Sequence, residues 1–138
     1  MSKIFIDTNL LVYCLDQHDP VKQKKARQLL KQAALDVDGV ISTQVLQEFY
    51  VTATRKLKVD ALQAKAMVHA FNNMETVLVT PDIIHNAIDC SILHRISFWD
   101  ALVVSAAQSA SCEILWTEDL NAGQVIQGVK IENPLEDA

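Results

Sequence analysis

The first element of the fold is best predicted from residues 3–11, Lys3-Ile4-Phe5-Ile6-Asp7-Thr8-Asn9-Leu10-Leu11. In this segment an apolar run ends in three polar residues before a second apolar run begins. The run Ile4 to Ile6 is short and partly β-branched, as is typical of a buried strand. The side chains of Asp7 to Asn9 suit the turn into a helix. We therefore predict a strand followed by a helix, with an aspartate at the junction.

The same alternation continues to the end of the chain. The predicted strands are Lys3–Ile6, Val40–Ile41, Thr76–Val79, Glu113–Thr117 and a candidate edge strand at Val129–Ile131. The predicted helices are one opened by Pro20, one capped by Ser42 or Thr43, one capped by Asp60, one from Thr80 and Pro81 to about Arg95, and one capped by Ser97 that covers Phe98 to about Ser109. Asp38-Gly39 is expected to break the chain, and Glu118 to Val125 to form a turn or a short helix. Strands that alternate with helices predict an α/β fold, a three-layer sandwich with a mostly parallel sheet of four or five strands, in a single domain over residues 1–138.

The charge of the chain is negative overall but unevenly spread. Seventeen acidic against twelve basic residues give a net charge of -5, the wrong sign for a module that grips duplex DNA mainly through phosphates. Residues 22–65 hold nine basic and four acidic residues, whereas the remainder holds three basic and thirteen acidic ones. This asymmetry permits a basic rim beside an acidic centre.

The cysteines and the apolar segments indicate where the protein resides. Cys14, Cys90 and Cys112 are odd in number and far apart, which argues against a disulfide framework and against a cysteine zinc site. No signal-peptide pattern is found, and no apolar run reaches the roughly 20 residues that a membrane-spanning helix needs. We expect a soluble, cytoplasmic protein without membrane contact.

Four carboxylates follow or adjoin the predicted strand ends. Asp7 ends the first strand, Glu48 lies in the helix after the second strand, Asp100 lies in the first turn of its helix, and Asp119 follows the fourth strand. Taken singly, each could be a cap or turn residue. In a parallel sheet, however, all four can converge at the edge where ligands collect.

Carboxylates that cluster in apolar surroundings must take up protons, meet basic partners or bind a cation. No basic residue lies within two positions of these four acids. A hard divalent cation, Mg²⁺ or Mn²⁺, is the simplest remedy, and its chemistry suits the hydrolysis of phosphate esters.

Four segments of the chain, in this order, resemble the motifs of the PIN-domain nucleases and, in size, the VapC-type toxins of toxin–antitoxin pairs. They are Ile4 to Leu11, Gln47-Glu48-Phe49, Trp99-Asp100-Ala101-Leu102 and Thr117-Glu118-Asp119-Leu120. The resemblance implies a metal-dependent endoribonuclease with a parallel sheet flanked by helices.

The resemblance also assigns roles to individual residues. Asp7 and Asp100 are the implied principal ligands of Mg²⁺ or Mn²⁺. Glu48 holds a metal or orients the attacking water, and Asp119 completes the acidic cluster. Asn9 and Thr117 are the implied supporting residues, Asn9 by orienting the first aspartate.

The toxin subgroup further implies a homodimer and a small antitoxin whose tail lies in a groove near the acids. Candidate groove residues are Phe49, Tyr50, Met67, Val68 and Phe71, although core packing is the favoured interpretation for most of them.

Other functions remain open from the sequence. An aspartate after the first strand is also typical of haloacid dehalogenase-like phosphatases, with Asp7 as the nucleophile, but Asn9 stands where the second acid is needed. A signalling receiver domain would need a lysine after a late strand, and Thr117-Glu118-Asp119 offers none. A noncatalytic protein-binding module would tolerate neutral replacement of Asp7 and Asp100.

Overall fold

Strands and helices alternate in the computed structural model, which describes residues 2–35 and 38–136. The strands are β1 (Lys3–Ile6), β2 (Asp38–Ser42), β3 (Glu75–Val77), β4 (Ile114–Trp116), β5 (Val125–Ile126) and β6 (Val129–Glu132). The helices are α1 (Thr8–Tyr13), α2 (Pro20–Leu35), α3 (Thr43–Arg55), α4 (Ala61–Phe71), α5 (Pro81–His94) and α6 (Phe98–Ser109). The predicted α/β class is confirmed.

The sheet has the strand order β3-β2-β1-β4-β6-β5, and every neighbouring pair is parallel except β5 with β6. Strand β1 lies near its centre, where Ile4, Phe5 and Ile6 are all buried. A strand covered on both faces needs such an unbroken apolar run. Asp7 therefore leaves the sheet from one of its inner strands.

The described part of the chain forms six strands rather than the four or five that were predicted. The difference is a two-residue strand, β5, which returns through a hairpin onto β6. Gln127 and Gly128 of that hairpin have positive φ angles of 51° and 79°, as tight hairpin turns require. Because β5 covers β6, the prediction of an edge strand at Val129–Ile131 was wrong, since β6 lies inside the sheet.

The expected break at Asp38-Gly39 was also wrong, because both residues belong to β2. A Cβ atom on Gly39 would lie 3.3 Å from Ile6 Cδ1, 3.3 Å from Met74 Sδ and 3.5 Å from Ala33 Cβ. The glycine thus allows close packing of the elements around β2 and does not make a turn.

Other element ends differ slightly from prediction. The third strand covers Glu75–Val77 instead of Thr76–Val79, and the fourth covers Ile114–Trp116 instead of Glu113–Thr117. The segment predicted as a turn or short helix, Glu118 to Val125, forms bends and turns without a helix up to residue 124, and Val125 begins β5. Short strands end wherever their partner ends, which local sequence does not specify.

The predicted helix caps are confirmed. Asp7, Ser42, Asp60, Thr80 and Ser97 each accept a hydrogen bond from a backbone N–H in the first turn of the following helix. Each cap satisfies an N–H that has no partner within its helix. The caps at the ends of β1 and β2 fix where α1 and α3 begin, which places their first turns at the carboxyl edge of the sheet.

The helices form two layers around the sheet. Helix α1 contacts α2 and α3, and α3 contacts α4, whereas α6 contacts α5 and strands β2, β4 and β6. The predicted α3–α4 hairpin is closed by an edge-to-face pair, Phe49 and Phe71, with ring centroids 4.9 Å apart. Helix α6 is buried along its whole central part, Ala101 to Ala107. No helix in the described residues is long and apolar enough to cross a membrane.

Candidate active site

Asp7 lies at the carboxyl end of β1 and caps α1. One of its oxygens, Oδ1, accepts from the Thr8 N–H at 2.7 Å, and Oδ2 accepts from the Thr117 hydroxyl at 2.8 Å. Its side chain is only 5% exposed. Burial raises the pKa of Asp7 from 3.8 to about 6, against the lowering effect of these two hydrogen bonds and with further increases from the charges of Asp119 and Glu48. The electrostatic effect of Asp119 and Glu48 on Asp7 places the three carboxylates in one neighbourhood.

Thr117 joins the first acid to the last. It follows β4, is almost fully buried, donates to Asp7 and accepts from the backbone N–H of Asp119 at 3.0 Å. Its hydroxyl therefore has both a donor and an acceptor partner. This geometry fixes the Asp7 carboxyl and the start of the segment that carries Asp119.

Asp119 is more exposed than Asp7. Partial burial raises its pKa, as do the charges of Asp100 and Glu118, while a hydrogen bond from Asn9 lowers it. The Asn9 side chain uses its amide group for this contact, but its Oδ1 is buried and has no hydrogen-bond partner within the described structure. A buried acceptor without a donor destabilises the folded protein. Asn9 Oδ1 is therefore available to contact a ligand.

Glu48 lies in the second turn of α3 and is half-buried. Its Oε1 accepts from the Thr8 hydroxyl at 3.0 Å. Thr8 thus touches two acids, Asp7 through its N–H and Glu48 through its hydroxyl. Sequence reasoning missed Thr8, although its place between Asp7 and Asn9 was a usable signal.

Asp100 lies in the first turn of α6, as predicted, and its backbone N–H donates to the Ser97 hydroxyl at 3.1 Å. The start of this helix is tied to α3 by a hydrogen bond from Gln44 Nε2 to the Trp99 carbonyl at 3.3 Å. The half-buried Asp100 influences Asp119 electrostatically. It therefore lies near the acidic cluster but approaches it from the opposite helical layer.

A cleft of about 260 Å³, here called the acidic cleft, brings the predicted residues together. It is lined by Asp7, Thr8, Asn9, Val12, Tyr13, Asp16, Glu48, Thr52, Lys56, Glu118 and Asp119. Three of the four predicted acids line it. Asp100 lies beside the cleft without lining it in the described part of the chain.

Several residues of the acidic cleft were not predicted. Glu118 pairs with Lys22 at 2.7 Å, and the Lys22 ammonium lies 4.9 Å from the centre of the Tyr13 ring. Lys22 of α2 is half-buried at this contact. Asp16 and Lys56 could not be predicted, because only the packing of α1 against α3 brings them to the cleft.

The side chains of the acidic cleft fit a hard divalent cation in chemistry. They offer carboxylate, amide and hydroxyl oxygens, and the cleft contains neither histidine nor cysteine among the described residues. The unpartnered Asn9 Oδ1 is a further oxygen donor. As placed, however, no three His, Cys, Asp or Glu side chains within residues 2–35 and 38–136 converge closely enough to hold a metal ion.

Solved structures with the same fold come from bacterial toxin–antitoxin systems. A toxin–antitoxin complex from Klebsiella pneumoniae matches with a TM-score of 0.69 and 21% identity, covering 95% of this chain and 97% of the other. VapBC2 from Rickettsia felis, bound to a DNA fragment from its promoter, matches with a TM-score of 0.68 and 19% identity over 95% and 98% of the two chains. VapC20 from Mycobacterium tuberculosis, a toxin that cleaves the sarcin-ricin loop, matches with a TM-score of 0.67 and 20% identity over 84% and 89%.

At the sequence level no curated protein matches the chain. The family model of the PIN domain matches residues 4–125, which include every acid discussed above. The match covers most of the chain and agrees with the resemblance drawn from the four motifs. The chain therefore belongs to the PIN domain family.

Proposed function

We propose that the protein is an endoribonuclease that hydrolyses RNA phosphodiester bonds at the acidic cleft and depends on Mg²⁺ or Mn²⁺. The observation that carries this proposal is the buried Asp7 carboxyl at the end of β1, with Asp119 and Glu48 close enough to raise its pKa. A buried carboxyl of this kind gains most from a cation, which offsets both its desolvation and its repulsion from neighbouring carboxylates.

The proposed ligands are Asp7, Glu48, Asp100 and Asp119, with Asp7 and Asp100 as the principal ones. When bound, a divalent cation lowers the pKa of water and offsets negative charge on phosphoryl oxygens. The protein's own side chains do the positioning. Thr117 holds the Asp7 carboxyl through a 2.8 Å hydrogen bond, which makes it a supporting residue.

Glu48 is the proposed group that orients the attacking water. Glu48 lines the acidic cleft, and its Oε1 accepts a hydrogen bond from the Thr8 hydroxyl. Because Thr8 is itself fixed by its N–H bond to Asp7, the orientations of the two carboxylates are linked. Asn9 contributes its amide to Asp119 and leaves Oδ1 for a ligand.

We also assign the protein to the toxin component of a toxin–antitoxin pair. Support comes from the Klebsiella pneumoniae and Rickettsia felis structures, which are complexes of this kind and span nearly the whole of this chain. An apolar groove of about 410 Å³ between α3 and α4 supports a small protein partner. It is lined by Leu46, Gln47, Tyr50, Val51, Lys65 and Val68.

Two of the five residues expected in such a groove, Tyr50 and Val68, line it. Phe49 is fully buried and packs on Phe71, so both are better explained as core. Met67 instead lines a different cleft on the other side of α4.

A second copy of the chain is the proposed partner of α5. Ile84, Ile88 and Ile92 are exposed at every fourth position and form one apolar stripe along this helix. In a dimer with twofold symmetry, the stripe of one copy packs against the same stripe of the other copy. A homodimer would therefore bury these exposed isoleucines without another protein. Cytoplasmic location is part of the same proposal, supported by three free, buried cysteines.

The deciding experiment is cleavage of a mixed RNA pool by purified protein with Mg²⁺, with Mn²⁺ and with EDTA. We expect cutting only with a metal, and a loss of at least about 100-fold in Asp7→Asn and in Asp100→Asn, the scale for removing a group that acts in the transition state. Asp82→Asn is the matched control, because Asp82 is an exposed acid in the first turn of α5.

Undiminished cutting by both Asp7→Asn and Asp100→Asn would refute the site. Phosphate trapped covalently on Asp7 would instead favour the phosphatase alternative.

A further inference from the structure

A second cleft, here called the basic cleft, lies next to the acidic one. Its volume is about 510 Å³, and it is formed by the connection between α1 and α2, the first turns of α2, the connection between α3 and α4, and α4 itself. His18, Arg27, Lys56 and Lys58 line it, together with Asp60 and neutral residues. It collects basic residues from the segment whose positive charge the sequence already showed.

The cations of the basic cleft are not neutralised by carboxylates. Among the described residues, Lys3, Lys22 and Lys130 form ion pairs, whereas Arg27, Lys56 and Lys58 form none. Asp60 is the acid of this cleft, and its carboxylate accepts from two N–H groups as the cap of α4. Three full positive charges thus face one carboxylate that is already engaged.

Lys56 lines both clefts, so the basic cleft shares a wall with the acidic one. An RNA strand at the acidic cleft meets negative charge there, and its affinity has to come from contacts elsewhere. The neighbouring cations are placed to supply it, because a positively charged groove follows a nucleic-acid backbone without reading its sequence.

The backbone at Lys58 is unusual. Its φ angle is 59°, in the left-handed region that favours glycine or asparagine. The turn is fixed by hydrogen bonds from Leu57 N to Thr52 O at 3.2 Å and from Val59 N to Ala53 O at 2.9 Å. A lysine thus occupies a position whose backbone conformation favours glycine or asparagine.

We propose that the basic cleft binds the phosphodiester backbone of single-stranded RNA that flanks the bond cut at the acidic cleft. The inference rests on the proposed ribonuclease function and extends it to the path of the substrate. Arg27 and Lys58 are the phosphate contacts on the far side, and Lys56 lies at the passage between the clefts.

The test is binding of a fluorescent single-stranded RNA, measured by anisotropy in EDTA and in Ca²⁺ over a range of salt concentrations. Arg27→Gln and Lys58→Gly are each expected to lower affinity about fivefold near 0.1 M salt and to reduce the slope of log K against log salt by about 0.7, the value for one phosphate on a single strand. The matched control is Lys25→Gln, which removes an exposed charge about half a helical turn away from Arg27 on α2. Thermal unfolding of each variant shows that the fold is retained.

Several results would overturn this assignment. The first is an RNA affinity that is unchanged in both variants, and the second is a loss of RNA affinity in Lys25→Gln equal to that in the two variants. The third is absence of RNA binding by the native protein, and the fourth is binding of an acidic peptide at this cleft in place of RNA. The proposed function is judged separately by cutting. If the native protein cuts RNA and both variants bind RNA normally, only the RNA-binding role of the basic cleft is refuted. If the native protein binds RNA through the basic cleft but cuts it with neither metal, only the nuclease function is refuted.

Discussion

Replacement of Asp7 by asparagine should stabilise the metal-free protein while it abolishes activity. Burial raises the pKa of Asp7 from 3.8 to about 6 in the folded chain, so the folded state holds this proton more tightly than the unfolded state does. Below about pH 4 the carboxyl is neutral in both states and costs nothing. As pH rises from about 4 to about 6, only the unfolded state releases the proton, so the free energy of unfolding falls.

The size of the effect follows from this difference. Because a tenfold difference in proton affinity corresponds to about 1.4 kcal/mol, ionised Asp7 costs the metal-free fold up to about 3 kcal/mol above pH 6. Asparagine keeps its oxygen for the Thr8 N–H and turns its NH2 group toward Thr117, whose hydroxyl then loses its acceptor, a loss of about 1 kcal/mol. We expect Asp7→Asn to be more stable than the native protein by about 1–2 kcal/mol at pH 7.5, combining these two estimates.

Urea unfolding in EDTA at pH 4, 5, 6 and 7.5 measures this, with Asp82→Asn as the control for loss of a surface acid. The stability advantage of Asp7→Asn should grow with pH and level off above pH 6. Addition of Mg²⁺ or Mn²⁺ should then stabilise the native protein more than the variant, because binding to the folded state raises stability by mass action. A variant less stable than the native protein at pH 7.5, or a difference independent of pH, would show that Asp7 carries no such strain.

Three further changes have expected outcomes. Thr117→Val removes the hydroxyl that donates to Asp7 and accepts from the Asp119 N–H. We expect about 10- to 100-fold less activity, as for other groups that orient a ligand. The apparent pKa of Asp7 in the pH–rate profile should rise further, because this hydrogen bond lowers it in the native protein. An unchanged profile would contradict this role. Lys58→Gly should raise the free energy of unfolding by about 1 kcal/mol, since it relieves a left-handed residue, and a loss of stability in urea unfolding would contradict it. Ile88→Lys should convert a dimer to a monomer in light scattering, whereas an unchanged mass would remove α5 as the interface.

The sequence was most informative where one residue satisfies local and long-range demands together. Asp7 follows three buried apolar residues and begins a helix, so the strand, the start of the helix and the candidate acid could all be predicted from the segment Ile4 to Leu11. Ser97 and Asp100 were located in the same way, since a cap and a first-turn acid are local features. Features that rest on adjacent residues were therefore predictable.

Features that rest on packing between distant elements were not predictable. Gly39 looks like a turn residue in the sequence, yet it is a point of close packing between β1, α2 and Met74, the residue before β3. The two-residue strand β5 has too little sequence to carry a pattern. Lys56 enters both clefts only because the end of α3 lies beside α1, and no spacing along the chain encodes that contact.

The distribution of charge in space explains why a negatively charged chain is suited to a negatively charged substrate. The net charge of -5 argues against phosphate binding only if charges are spread evenly, and they are not. The acids that need a cation occupy one cleft, and three cations without an ion pair among residues 2–35 and 38–136 occupy the next, namely Arg27, Lys56 and Lys58. A bound divalent cation offsets part of the negative charge of the acidic cleft and can itself contact a phosphate, so that both clefts can then bind the same strand. RNA affinity should therefore depend on metal at the acidic cleft and on salt at the basic one, and these two dependences should be separable by variants of Asp7 and of Lys58.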